Sequence, residues 1–141
     1  MKETKYIPGD LVMFKNPFEP SDTCVGIVKF LGNISDIILL CPYTNLNLEY
    51  FIKVENIQGI PITPEILEKN GWKRTKIFID DDGLEFHTYI DDERCLDLQY
   101  YPQYKKFAAF ICKQEVLSDI EYVHQLQHLL FGLDLPMDLK V

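Results

Sequence analysis

The chain has 141 residues, a formal net charge of −8, 47% hydrophobic residues and 26% charged ones. These proportions exclude a disordered chain, and near 150 residues a fold can bury roughly 70% of its unfolded surface. The acidic balance, −3 up to Trp72 and −5 beyond it, excludes the ordinary cationic binder of nucleic acid or of an anionic membrane in either part. Aromatic residues reach 13%, which favours strands.

Leu11 to Lys15 reads as a first strand, followed by the loop Asn16-Pro17-Phe18-Glu19-Pro20-Ser21-Asp22 with its two prolines. Cys24 to Leu31 is a second strand, stopped by Gly32-Asn33. Asp36 to Cys41 is continuously apolar, the pattern of a strand buried on both faces, and Pro42 closes it. Leu46, Leu48, Tyr50 and Ile52 alternate with Asn47, Glu49, Phe51 and Lys53, as in a half-buried strand, and Val54 to Ile57 reads as a short closing strand.

Thr63 is a good N-cap, Pro64 suits the first helical position, and Asn70-Gly71 stops the helix after Lys69. Trp72 follows and is expected to bury its ring. A four-stranded meander then runs through Lys73 to Ile79, Leu84 to Ile90, Cys95 to Tyr101 and Tyr104 to Cys112, with Asp82-Gly83 as a hairpin turn. Ser118-Asp119-Ile120-Glu121 has the form of a capping box, with Leu117 and Tyr122 as its staple. Ile120, Val123, Leu126 and Leu130 continue at helical spacing to Gly132, an apolar face that the meander is expected to cover.

Tyr6-Ile7-Pro8-Gly9-Asp10-Leu11-Val12, a polar loop and Val25-Gly26-Ile27-Val28 resemble the opening of a small Src-homology-type or KOW-like barrel, over about residues 6–58. Ile60-Pro61-Ile62-Thr63-Pro64-Glu65-Ile66-Leu67 and Asn70-Gly71-Trp72, with Tyr122-Val123-His124-Gln125-Leu126-Gln127, resemble a group of short uncharacterised proteins of Bacteroidetes and their phages and mobile elements. That resemblance spans nearly the whole chain and implies no activity and no catalytic residues. The chain departs from the group at His128, where Asn is frequent.

Chemistry-bearing patterns are sparse. His124 and His128 are four apart with Glu121 a turn earlier, a spacing that can ligate zinc, but H-E-x-x-H is absent and a third ligand would have to come from His87 or an acidic turn. Asp80-Asp81-Asp82-Gly83 lacks the alternation and closing Glu of a calcium loop and reads, like Asp91-Asp92-Glu93, as a turn. No nucleophile elbow and no phosphate-cradling glycine loop occurs. Cys24, Cys41, Cys95 and Cys112 form no C-x-x-C pair and read as buried free thiols. Tyr100, Tyr101 and Tyr104, with Phe107, gather aromatic rings around one turn, either as core or as a binding surface that Phe18 could join.

The expected fold is α+β. Residues 1–59 form a small antiparallel barrel or curled sheet, and residues 60–141 an antiparallel meander packed by a C-terminal helix, the two being separate subdomains or one compact unit. The expected function is a non-enzymatic protein-binding module, phage- or mobile-element-associated, using Phe18, Tyr100, Tyr101 and Tyr104, with no cofactor and no nucleic acid. Its partner is a protein, and homo-oligomers are open. Two alternatives stand beside it: an acidic decoy that blocks a nucleic-acid-binding enzyme, and a small metal-dependent hydrolase using His124 and His128. Met1 to Lys5 leads into Tyr6 without an apolar signal stretch, and the longest strongly apolar run, Ile37 to Cys41, is too short for a bilayer, so a cytoplasmic protein is expected.

Overall fold

The structure, a computed structural model, describes residues 6–19, 21–31, 37–45 and 47–141. The expected turn at Gly32-Asn33, the strand start at Asp36, Pro20, Leu46 and the opening residues 1–5 lie outside the described residues. The fold is α+β: two antiparallel sheets, one of them strongly curled, with a C-terminal helix. Two compact units result, Met1–Ile60 with Leu126–Asp138, and Pro61–Gln125 with Leu139–Val141.

In the first unit β1 (Leu11–Lys15), β2 (Thr23–Leu31), β3 (Ile37–Pro42), β4 (Tyr50–Lys53) and β5 (Ile57–Gly59) make a sheet of order β4-β3-β2-β1-β5. A 3₁₀ turn, Val54–Asn56, joins β4 to β5. Because β1 pairs with both β2 and β5, the sheet curls into a half-barrel around Tyr6, Val12, Phe14, Val28, Leu40, Ile52 and Ile57. Gly26, opposite Val12, has a packing reason: a Cβ there would stand 2.7 Å from the Phe14 ring. Leu48 is exposed, and the alternating strand begins only at Tyr50.

In the second unit α1 (Pro64–Lys69) has the caps its sequence announces. Thr63 Oγ1 accepts from the Ile66 N–H at 3.3 Å, and Gly71 takes a φ of +99°. Trp72 is buried, its Nε1 donates to the Leu96 carbonyl at 2.9 Å, and the Arg94 guanidinium lies 4.3 Å over its ring. The sheet runs in strict sequence order, β6 (Lys73–Ile79), β7 (Glu85–Ile90), β8 (Asp97–Tyr101), β9 (Lys106–Ile111) and β10 (Gln114–Ile120). Tyr89, Leu98 and Ala109 stand opposite one another and fill one buried face.

The fifth strand corrects the capping box. Residues 114–120 pair with β9, so Ser118 is an exposed strand residue and α2 begins only at Val123 (Val123–Gly132). Gln125 does the capping one turn later: its Oε1 accepts from the N–H groups of Glu121 at 2.7 Å and Tyr122 at 2.9 Å. The first three residues of α2 fall within the second unit, and from Leu126 onward the chain belongs to the first. Among the described residues no helix is long and apolar enough to cross a membrane.

Candidate functional site

The first unit carries a groove of about 580 Å³ where the end of β1 and the start of its loop meet β4 and the 3₁₀ turn. Strand alternation builds it: on β4, Ile52 turns into the core while Phe51 and Lys53 turn outward. Phe51 is thereby held 76% exposed on the groove wall, with Lys15, Pro17, Lys53 and Glu55 around it. Asn16 Oδ1 accepts from the Phe18 N–H at 2.9 Å, the turn that starts the loop. Phe18 itself is 80% exposed, and its ring stands 6.0 Å from Tyr50, which in turn lies 5.9 Å from Phe14. Phe51 was missed as a site residue, although the sequence carried a signal: a lone aromatic among Asn47, Glu49 and Lys53 on the outward positions.

Phe18 belongs to the first unit and the tyrosines to the second, where they point two ways. Tyr100 stacks on Phe107 at 4.6 Å on one face of the sheet, with His87 at its edge. Tyr101 lies on the other face, 5.7 Å from Phe86, and its hydroxyl donates to Gln99 at 3.2 Å. Burial, and then the nearby Asp80 and Glu115, push that hydroxyl above its ordinary pKa, which keeps it a donor. Tyr104 is exposed at the turn and lines, with Tyr101, Lys106 and Glu115, a depression of about 420 Å³.

The histidine pair is divided between other tasks. His124 is buried with its ring stacked on Tyr122 at 5.7 Å, while His128 Nε2 lies 2.7 Å from Asp10 Oδ2. Among the described residues no group of three His, Cys, Asp or Glu side chains is placed to hold a metal ion. Asp10 is fully buried, and burial pushes its carboxyl above the ordinary 3.8, against the opposing pull of the Ile7 N–H and of His128. Beside it, buried Gln127 accepts from the Leu11 N–H at 2.8 Å and donates to the carbonyls of Gly9 at 3.0 Å and Met137 at 2.9 Å. This cluster holds the backbone at Gly9, Leu11 and Met137.

The acidic turns stand at opposite ends of β7, and the decoy reading needs them in one stripe. Asp80 Oδ1 accepts from the Asp82 and Leu84 N–H groups, and buried Asp91 pairs with Arg94. The cysteines correct another expectation: Cys41 is buried and Cys24 half-buried, but Cys95 and Cys112 are exposed in turns with φ of 56° and 50°. Compared with family models, with curated proteins and with solved structures, the chain matches none.

Proposed function

We propose that the chain is a non-enzymatic protein-binding module, phage- or mobile-element-associated, whose first unit takes an extended peptide in the groove beside Phe51. The observation that carries this reading is the 76% exposure of Phe51 on the wall of an otherwise recessed groove. Covering a Phe side chain is worth on the order of 2 kcal/mol, and aromatic anchors of this kind dominate interface energetics. The order β4-β3-β2-β1-β5, with a 3₁₀ turn before β5, supports reading the unit as a small Src-homology-type barrel. By analogy of fold alone, aromatic-lined grooves on such barrels take proline-rich extended segments. Lys15 and Lys53 outnumber Glu55 on the lining, which favours a segment carrying a carboxylate.

The test is selection of peptides from a random display library on the purified chain, followed by calorimetry. Selected peptides should bind Phe51→Ala at least tenfold more weakly, a loss of about 1.4 kcal/mol, with the far-UV spectrum unchanged. Peptides that bind Phe51→Ala and Lys53→Glu as well as the parent chain would remove the groove from consideration.

A further inference from the structure

The edge of the second sheet carries a feature that peptide binding in the first unit does not use. β6 is the terminal strand, and it exposes three large apolar residues in a row, Ile77 at 51%, Phe78 at 42% and Ile79 at 74%. Such an edge is a template for another strand unless charges, prolines or bulges prevent it. Here the bulge lies between Arg74 and Ile77, leaving Ile77 to Ile79 in regular register against His87 to Glu85. The other edge, β10, is interrupted by register shifts on both sides of Leu117 and offers no comparable run.

Backbone direction follows from the hairpin. The Asp80 N–H donates to the Leu84 carbonyl at 2.9 Å, so Asp80 and Phe78 turn their polar backbone groups toward β7. Ile77 and Ile79, at the alternate positions, turn theirs to the open side. On one side of this segment stand Lys73, Arg74 and Lys76, and on the other Asp80, Asp81 and Asp82.

We propose that two copies of this chain join edge to edge through β6, antiparallel and centred on Phe78, into one continuous sheet. In that register Ile77 of each copy faces Ile79 of the other, and their outward N–H and C=O groups satisfy one another. Phe78 meets its own counterpart at a non-hydrogen-bonded position, where Cα atoms approach to about 4.5 Å and aromatic cross-strand pairs contribute to stability. Lys76 comes opposite Asp80, the residue that follows the strand. A parallel pairing would set cation on cation and carboxylate on carboxylate, so the charge order selects this partner and this direction. The pairing is isologous and uses the same edge on both copies, so it closes at two.

Sedimentation velocity of the full chain, from about 1 to about 200 µM, should show a species of twice the monomer mass. Ile79→Pro removes an outward-facing N–H and an exposed apolar side chain from the edge, and Lys76→Glu sets like charges opposite one another. Each should weaken association at least tenfold with an unchanged far-UV spectrum. Phe78→Cys should form, under air oxidation, an intermolecular disulfide that peptide mapping places at position 78 of both copies, an outcome that a folding defect cannot mimic. A chain that stays monomeric throughout the range overturns the proposal. So does a dimer that survives both single substitutions, which would use another surface. Failure of Phe78→Cys to cross-link at position 78 overturns the register.

Discussion

Among the described residues the two units hold five strands each and treat their edges in different ways. In the first, β1 pairs with β2 by a short connection and with β5 across the rest of the sheet, and the curl encloses a core led by Tyr6, Phe14 and Leu40. In the second, every strand pairs with its neighbours in sequence, so closure never occurs and β6 is bare from end to end. The curl of the first sheet therefore depends on a pairing distant in sequence, β1 with β5, while the meander is assembled from hairpins. The first unit should be sensitive to the loss of a few long-range hydrogen bonds, the second to the local chemistry of its turns.

The largest effect is expected at Gln127. Replacing it with Ala strips partners from the Leu11 N–H and from the Gly9 and Met137 carbonyls, all served by one buried amide. The buried Leu11 N–H left unpaired costs about 1–3 kcal/mol, and the two part-buried carbonyls add less, so Gln127→Ala should cost on the order of 3 kcal/mol. The urea midpoint reads this, and hydrogen exchange should rise first at the Leu11 amide. A loss below about 1 kcal/mol would show that water replaces the amide and that the first unit does not depend on it.

A smaller effect of opposite sign is expected in the second unit. Cys112 and Lys113 make the two-residue turn between β9 and β10 with φ of 50° and 66°, a conformation unfavourable for side chains with a Cβ. Lys113→Gly should stabilise the chain by about 1 kcal/mol, seen as a higher urea midpoint at unchanged slope. Loss of stability would mean that the Lys113 side chain contributes more than the turn costs.

The smallest effect is a pH slope belonging to Asp10. Its carboxyl is pushed above 3.8 by burial, so the folded state takes up a proton more readily than the unfolded chain. The resulting stability is fully present below 3.8 and is lost as pH rises through the folded value. Thermal midpoints should therefore rise on acidification through that window in the parent chain relative to Asp10→Asn. Parallel curves for the two would show that His128 fully offsets the burial.

What could be read beforehand follows the same division. α1 was legible to the residue because Thr63, Pro64 and Gly71 act within one turn of the chain. β10 was not: its hairpin carries Cys112-Lys113 in place of Asn-Gly, and Ser118 with Glu121 imitates a helix start inside a strand. Gln127 stood in a helix pattern as an ordinary polar residue, since its partners lie 116 and 118 positions away. At the groove, alternation had already turned Phe51 outward. Phe18, by contrast, belongs to the first unit and the tyrosines to the second.

The reach of Gln127 also sets an order of events during synthesis. The Leu11 amide emerges from the ribosome 116 residues before the side chain that accepts its proton. At about 5–20 residues per second, that interval is roughly 6–23 s. Meanwhile the hairpins of the meander can close one after another as each appears. The first unit's five strands are thus all synthesised long before the amide that caps Leu11, and a sheet still lacking that amide is the form that a nascent-chain chaperone would meet.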